Sequence, residues 1–261
     1  MSSQTETDSS AGSGNGKKVF LLHPHSVIRE ELMDILIMNG FETYTLHDHK
    51  KALNILERFS GSIMFINIDE GMPEKEWEAY IKALQENPKT KDTRLGILSY
   101  NQDKALMQKY LMDITVPCGY IQLKLGVQES TKIIINALEA NEARGRRQCI
   151  RADCEDDISS SLNFKRGTDS FYGKILDISS AGVAVKFDKI ADVPRNTLLK
   201  EVQLRLRGGL VMTDMILMGQ RADNRQIFIM LFAPAMGSEN KLIVHRYIKQ
   251  CLQRYINGLK V

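Results

Sequence analysis

Cysteine is sparse in this sequence: four residues, Cys118, Cys149, Cys154 and Cys251, with no close C-x-x-C pairing and no secretory signal ahead of them. That pattern argues against a disulfide scaffold and predicts reduced thiols in a cytoplasmic protein. Long apolar runs are also missing. None approaches the roughly eighteen residues that a membrane span needs, so no span is expected. Charge of either sign is barely in excess, with 35 Lys and Arg against 32 Asp and Glu for a net +3. A surface that tracks a polyanion over its whole extent is thereby excluded, and any anion recognition has to be local. No nucleophile triad, metal-ligand set or phosphate-cradling P-loop is present, which predicts a protein that is not an enzyme and has no metal or cofactor of its own.

What is present divides into two unlike halves, as 261 residues allow. Residues 1–16, "MSSQTETDSSAGSGNG", have nothing to bury and are expected to form a disordered tail. Over 17–142 short apolar runs ("KVFLL", "FETYTL", "IMFINI", "RLGILSY", "GYIQLKL") alternate with amphipathic segments. Ile28, Leu32, Ile35 and Leu36 repeat at helical spacing, with Ser26 as the expected N-cap and Gly40 closing the helix. Ala52, Ile55, Leu56 and Phe59, then Trp77, Ile81 and Leu84, then Ile133, Ile134, Ala137 and Leu138, define further faces, and a weaker helix falls near 102–112. Five strands separated by helices predict a doubly wound, parallel, five-stranded α/β sheet, because parallel neighbours need helical crossovers. After Arg151 the period becomes strand-like, in short segments cut by Gly, Pro, Asp and Asn, which predicts an all-β antiparallel barrel over 153–261. A terminal helix follows, with Val244, Ile248, Cys251, Leu252 and Tyr255 expected to pack on the barrel.

Between the halves, at 143–152, lies "RGRRQCIR", followed at once by "ADCEDD". Arg147 and Arg151 form R-x-x-x-R, and about thirty residues on, Asp177, Ser179 and Gly182 form D-x-S-x-x-G. In that order and separation the pair resembles the two-part signature of PilZ domains, β-barrels that bind the bacterial second messenger cyclic di-GMP. The resemblance covers roughly 143–261 and implies that Arg147, Arg151, Asp177, Ser179 and Gly182 contact the ligand, with Arg146 as an adjoining contributor. The residue types suit that ligand on chemical grounds. A guanidinium donates bidentately to phosphate or to guanine O6 and N7 and stacks on purines, and a carboxylate accepts from guanine N1 and N2. Glycine admits a turn or a close backbone approach. One departure from the family is Ile229, three residues before Phe232, where a glycine is common.

The N-terminal half is similar to response-regulator receiver domains. "IDEGMP" places Asp69 where that family keeps its phosphoacceptor, and Ser99 and Lys124 fall where its hydroxyl and lysine belong. The acidic pair after the first strand is replaced by His23 and Pro24. Neither is a good Mg²⁺ ligand, and phosphoryl transfer to a carboxylate depends on that metal, so a degenerate receiver that is not phosphorylated in the ordinary way is predicted. His23 with His25 and His47 with His49 form His-x-His pairs that read as surface residues, and His245 receives no role. Three functions follow: a non-enzymatic cyclic di-GMP receptor acting on an unidentified protein partner, a phosphorelay output modified on Asp69, or a nucleic-acid binder using the basic segment. Asp153, Glu155, Asp156 and Asp157 oppose the last, because they would repel a phosphate backbone.

Overall fold

The structure is a computed structural model that describes residues 16–188 and 193–260. The tail expected over 1–16 lies, except for Gly16, outside the described residues.

The first unit alternates strand and helix. It runs β1 (Val19–Leu22), α1 (Ser26–Met38), β2 (Thr43–Leu46), α2 (His49–Arg58), β3 (Ile63–Asn67), α3 (Glu74–Glu86), β4 (Arg94–Ser99), α4 (Lys104–Gln108), β5 (Tyr120–Gln122) and α5 (Val127–Ala140). All pairings are parallel, in the order β2-β1-β3-β4-β5. Every residue of β1 and β3 is buried, as central strands covered on both faces must be. Helix α1 buries Ile28, Leu32, Met33, Leu36 and Ile37. Its N-cap is His25 rather than the expected Ser26: the His25 ring accepts from the Val27 backbone N–H at 3.4 Å, and Ser26 is already helical. The weak fourth helix is α4 prolonged by a π-turn over Lys109–Asp113.

The second unit consists of β6 (Arg151–Asp153), β7 (Ser161–Arg166), β8 (Asp169–Ser179), β9 (Gly182–Phe187), β10 (Thr197–Leu206), β11 (Gly209–Gln220), β12 (Ile227–Phe232) and α6 (Ser238–Gly258). The strand order β8-β7-β10-β11-β12-β9 closes through a β8–β9 pairing, so the six strands form an antiparallel barrel, and β6 is added on β8. Strand β6 went unread in the sequence because three residues carry too little periodicity to register as a strand.

Helix α6 is shared. Val244, Tyr247, Ile248, Cys251, Leu252 and Ile256 are buried. Tyr255, expected on that stripe, is 45% exposed and instead lies beside Phe59 of the first unit, ring centroids 6.5 Å apart. Toward that unit Lys249 Nζ reaches Asp34 at 2.6 Å and Glu30 at 2.9 Å, His245 Nε2 stands 3.2 Å from Asp34, and Gln253 Nε2 donates to Thr45 O at 2.9 Å.

On the barrel side, α6 is held by one carboxylate. Tyr247 Oη donates to Asp157 Oδ2 at 2.9 Å and Arg254 Nη2 at 3.1 Å, while the Ser159 N–H and Oγ–H serve Oδ1. Burial alone would raise the Asp157 carboxyl, but these bonds outweigh it and hold it at about 2. Because the folded value lies below the unfolded value of about 3.9, the stabilisation is complete above that pH and is lost as pH falls toward 2. Asp157→Asn is therefore expected to cost about 2 kcal/mol in urea unfolding at pH 7, with the difference from the parent shrinking as pH falls from about 4 toward 2.

Candidate functional site

After α5 the chain is fastened to the first unit before it becomes basic. Ala143 is buried and its carbonyl accepts from the Lys17 N–H at 2.9 Å. Arg144 pairs with Glu139 at 2.9 Å and lies 5.1 Å from the Phe41 ring centroid. Gly40, at φ +82°, closes α1 and makes room for the segment, because a Cβ there would stand 2.8 Å from the Gln148 carbonyl oxygen.

The segment then joins the barrel wall. Residues 143–152 were expected to be a tether throughout, yet Arg151 and Ala152 already belong to β6. Arg151 pairs opposite Ser179, Ala152 opposite Ile178 and Asp153 opposite Asp177. Directly opposed residues share a face of an antiparallel pair. Ala152 and Ile178 are fully buried, so Arg151, Asp153, Asp177 and Ser179 lie on the outer face of the ribbon. A bulge in β8 between Ile175 and Asp177 makes this possible: Ile175 faces the core, and the extra residue shifts the alternation so that Ile178, not Asp177, is the next core residue.

Around Asp177 the electrostatics are lopsided. Burial pushes its carboxyl up and Asp153 adds to the effect, while Arg151, Arg221 and Arg147 pull it back. The Asp177 side chain makes no hydrogen bond or ion pair among the described residues. The geometry thus brings Arg147, Arg151 and Asp177 into one electrostatic neighbourhood. Arg146 is exposed and has no hydrogen bond or ion pair among the described residues. Ser179 is 7% exposed, and its hydroxyl accepts from the Ala181 N–H and donates to the Gly182 carbonyl, both at 3.3 Å, so it closes the turn between β8 and β9. Gly182 is required by close approach: a Cβ there would stand 2.1 Å from the Met230 carbonyl oxygen on β12.

Sequence reading missed Arg221. It follows β11, donates to Asp223 through both Nε and Nη2 at 2.6 and 2.7 Å, and reaches Asp177 and Glu155 electrostatically. No local motif marks it, since only the barrel's closure brings it to β8. Arg147, Arg151 and Cys149 also line a cleft of about 140 Å³ against Lys18 and Glu42 of the first unit. A larger hollow of about 560 Å³, lined by Ile158, Gln203, Arg205 and Leu210, includes none of the expected residues.

In the first unit Asp69 is already occupied. Ser99 Oγ donates to its Oδ1 and the Tyr100 N–H to its Oδ2, each at 2.6 Å. Lys124, exposed on the 3-10 turn Leu123–Leu125, makes no hydrogen bond or ion pair among the described residues. His23, at φ +50°, presses against Gly71, and its Nε2 is buried without a hydrogen bond. Burial lowers its pKa, and His47 and His49 add to that effect; the His23 and His49 rings both stand edge-on to Trp77, at centroid distances of 5.8 and 6.4 Å. Among the described residues no His, Cys, Asp and Glu group is arranged to hold a metal.

No family model matches the chain, and no curated protein matches it. Solved structures do. The barrel is similar to PilZ domains. One is the PilZ domain with c-di-GMP of YcgR from Escherichia coli, at 13% identity and a TM-score of 0.36 over 44% of this chain and 99% of that one. Another is the inhibitor of motility MotI/DgrA of Bacillus subtilis, at 16% identity and 0.34, covering 44% of this chain and 53% of that. This chain thus spans about half of MotI. The first unit is similar to the signal receiver domain of an HD domain-containing protein from Pseudomonas fluorescens Pf-5, at 17% identity and 0.41, covering 50% and 93%.

The barrel makes a stability prediction at Gly182. The three atoms nearest to a Cβ on Gly182 are backbone atoms of Met230 and Leu231, so Gly182→Ala is expected to cost about 2–3 kcal/mol in urea unfolding of the barrel. Gly258→Ala, which meets nothing at the end of α6, is the control and should be neutral or slightly stabilising.

Proposed function

We propose that the protein is a non-enzymatic receptor for cyclic di-GMP, held through Arg147, Arg151 and Asp177, with Arg146 and Arg221 at the margins and Ser179 and Gly182 shaping the turn. One observation carries the reading: a half-buried, unpaired Asp177 carboxylate with three guanidinium groups around it. Such a carboxylate accepts the two N–H donors of a guanine edge, and the guanidiniums answer two phosphodiesters and the guanine O6 and N7. The cleft of about 140 Å³ lies below the roughly 300 Å³ of small-molecule sites, so the ligand takes the open outer face of the β6–β8 ribbon and reorders residues 145–150. A messenger of this kind acts inside the cell, which places the barrel in the cytoplasm. No helix among the described residues is long and apolar enough to cross a membrane.

The segment that closes on the ligand also joins the two units, so ligand binding shifts their relative orientation and a protein partner reads the change. Small-angle scattering at ligand saturation checks this: altered profiles are expected, and superimposable ones would remove the coupling without touching the binding. Two observations weigh against phosphorylation of Asp69, namely the occupation of both its oxygens and the absence of carboxylates at His23 and Pro24. Acetyl phosphate with Mg²⁺ should leave the intact mass unchanged.

Arg147→Ala and Arg151→Ala are each expected to weaken cyclic di-GMP binding roughly ten- to several-hundred-fold by calorimetry, the loss of one charge-assisted contact worth about 1.5–3 kcal/mol. Parent-like affinity in both would refute the site. Asp177 supplies a second check with a worked sign. Its raised pKa means that at neutral pH the charge destabilises the empty fold, a cost that fades as pH falls through the folded pKa. Asp177→Asn should therefore raise the melting temperature of the empty protein while weakening binding. In the parent, affinity should fall on acidification at pH values where an ordinary aspartate is still ionised.

A further inference from the structure

Cys154 and Cys251 lie 97 positions apart in sequence, yet their sulfurs stand 3.9 Å from each other. Cys154 follows β6 and continues its pairing, the Cys154 N–H donating to the Leu176 carbonyl at 2.7 Å, and Cys251 sits on the barrel face of α6. The two sulfurs are not equivalent. Cys251 Sγ is approached by Arg254 Nη2 at 3.5 Å and by the Cys154 thiol, two donors that favour a thiolate. The Cys154 thiol has two acceptors, Cys251 Sγ and the Ala152 carbonyl oxygen at 3.4 Å, and no hydrogen-bonded or paired cation among the described residues, so it holds its proton. The hydrogen bond between the two thiols and, for Cys251, the Arg254 charge bring the Cys251 thiol down, while that hydrogen bond and burial drive Cys154 up. All three of Cys118, Cys154 and Cys251 are buried, and burial pushes the Cys118 thiol up to about 11; what sets Cys251 apart is the Arg254 guanidinium and the second thiol beside it.

We propose that Cys154 and Cys251 form a reversible redox pair, in which Cys251 is the sulfur attacked by peroxide and Cys154 is the resolving thiol. The step balances. The Cys251 thiolate attacks one oxygen of hydrogen peroxide, an S–O bond forms, the O–O bond breaks, and the second oxygen leaves as water after taking a proton. The Cys154 sulfur then attacks Cys251 Sγ, an S–S bond forms, the S–O bond breaks, and the hydroxyl departs as water with the Cys154 proton. Two thiols are oxidised by two electrons and the peroxide is reduced to two waters. Sulfurs 3.9 Å apart reach bonding distance, about 2.05 Å, by side-chain rotation and a small settling of α6. The product staples the shared helix to the strand that begins with Arg151. The proposal is independent of the ligand reading.

The test uses the folded full chain, treated with hydrogen peroxide, then denatured and alkylated with maleimide. Two adducts in place of four, a Cys154–Cys251 cross-linked peptide, and restoration of four by dithiothreitol are expected. The oxidised form should melt several degrees higher, because the bridge closes a long loop. In Cys154→Ser, or Cys154→Ala if the serine variant folds poorly, a sulfenic acid on Cys251 should be trapped by dimedone, whereas in Cys251→Ser no dimedone adduct should form on Cys154. Four maleimide adducts after treatment, a cross-link through Cys118 or Cys149, or trapping on Cys154 would each overturn the proposal.

Discussion

A three-residue strand ties the two halves of this molecule together. Without the pairing of Arg151–Asp153 against Asp177–Ser179, the arginine segment would be a tether with no fixed relation to the barrel, and Asp177 would be an ordinary surface acid. The pairing depends on the length of β8, whose first half is taken by β7 and whose last three residues are left for β6 on the same edge. It depends as well on the bulge at Leu176, which swaps the faces of the strand between Ile175 and Ile178. A regular strand would turn Asp177 into the core and Ile178 toward the arginines.

The same region meets the first unit at two further places. Gly40 lets the Gln148 backbone pass close to the end of α1, and α6 lays Lys249 and His245 against Asp34 of that helix. One end of α1 therefore neighbours the arginine segment, and its middle neighbours the barrel's helix. These contacts are polar, and partly exposed ion pairs of this kind are worth little each, while α6 buries its apolar face on the barrel. Helix α6 thus buries its apolar face on the second unit and meets the first through Lys249, His245, Gln253 and Tyr255.

Much of this was legible in the sequence, for reasons that differ by element. The parallel sheet was readable because β1 and β3 are buried along their whole length, which makes continuous apolar runs. The barrel strands were readable from alternation and turn residues. Strand β6 was not, because "RAD" has no period. Tyr255 was misplaced because helical spacing locates a stripe without saying which of two neighbours covers it. Arg147, Arg151 and Asp177 were singled out through a motif that spans thirty residues, whereas Arg221, more than forty residues beyond Asp177, is brought near that aspartate only by barrel closure. Ser179 and Gly182 were read as part of the same motif, and their local geometry has a structural cause: one hydroxyl that closes a turn and one backbone that must pass within van der Waals reach of Met230.

Asp177 shows why such a motif has the composition it has. A carboxylate that is desolvated and unbonded costs free energy in the empty fold, and the barrel has a partner for nearly every other buried polar side chain described, Asp157 among them. The two aspartates sit in the same small barrel with opposite treatments: Asp157 is drawn down by Tyr247, Arg254 and Ser159, and Asp177 is pushed up. The difference lies in hydrogen-bond donors, not in charge, since Asp177 has three guanidiniums nearby and Asp157 has one. Asp177 is thus left without a hydrogen-bond donor of its own, and in the proposed reading a ligand that brings donors and acceptors together completes the site. A guanine bearing a phosphodiester has both.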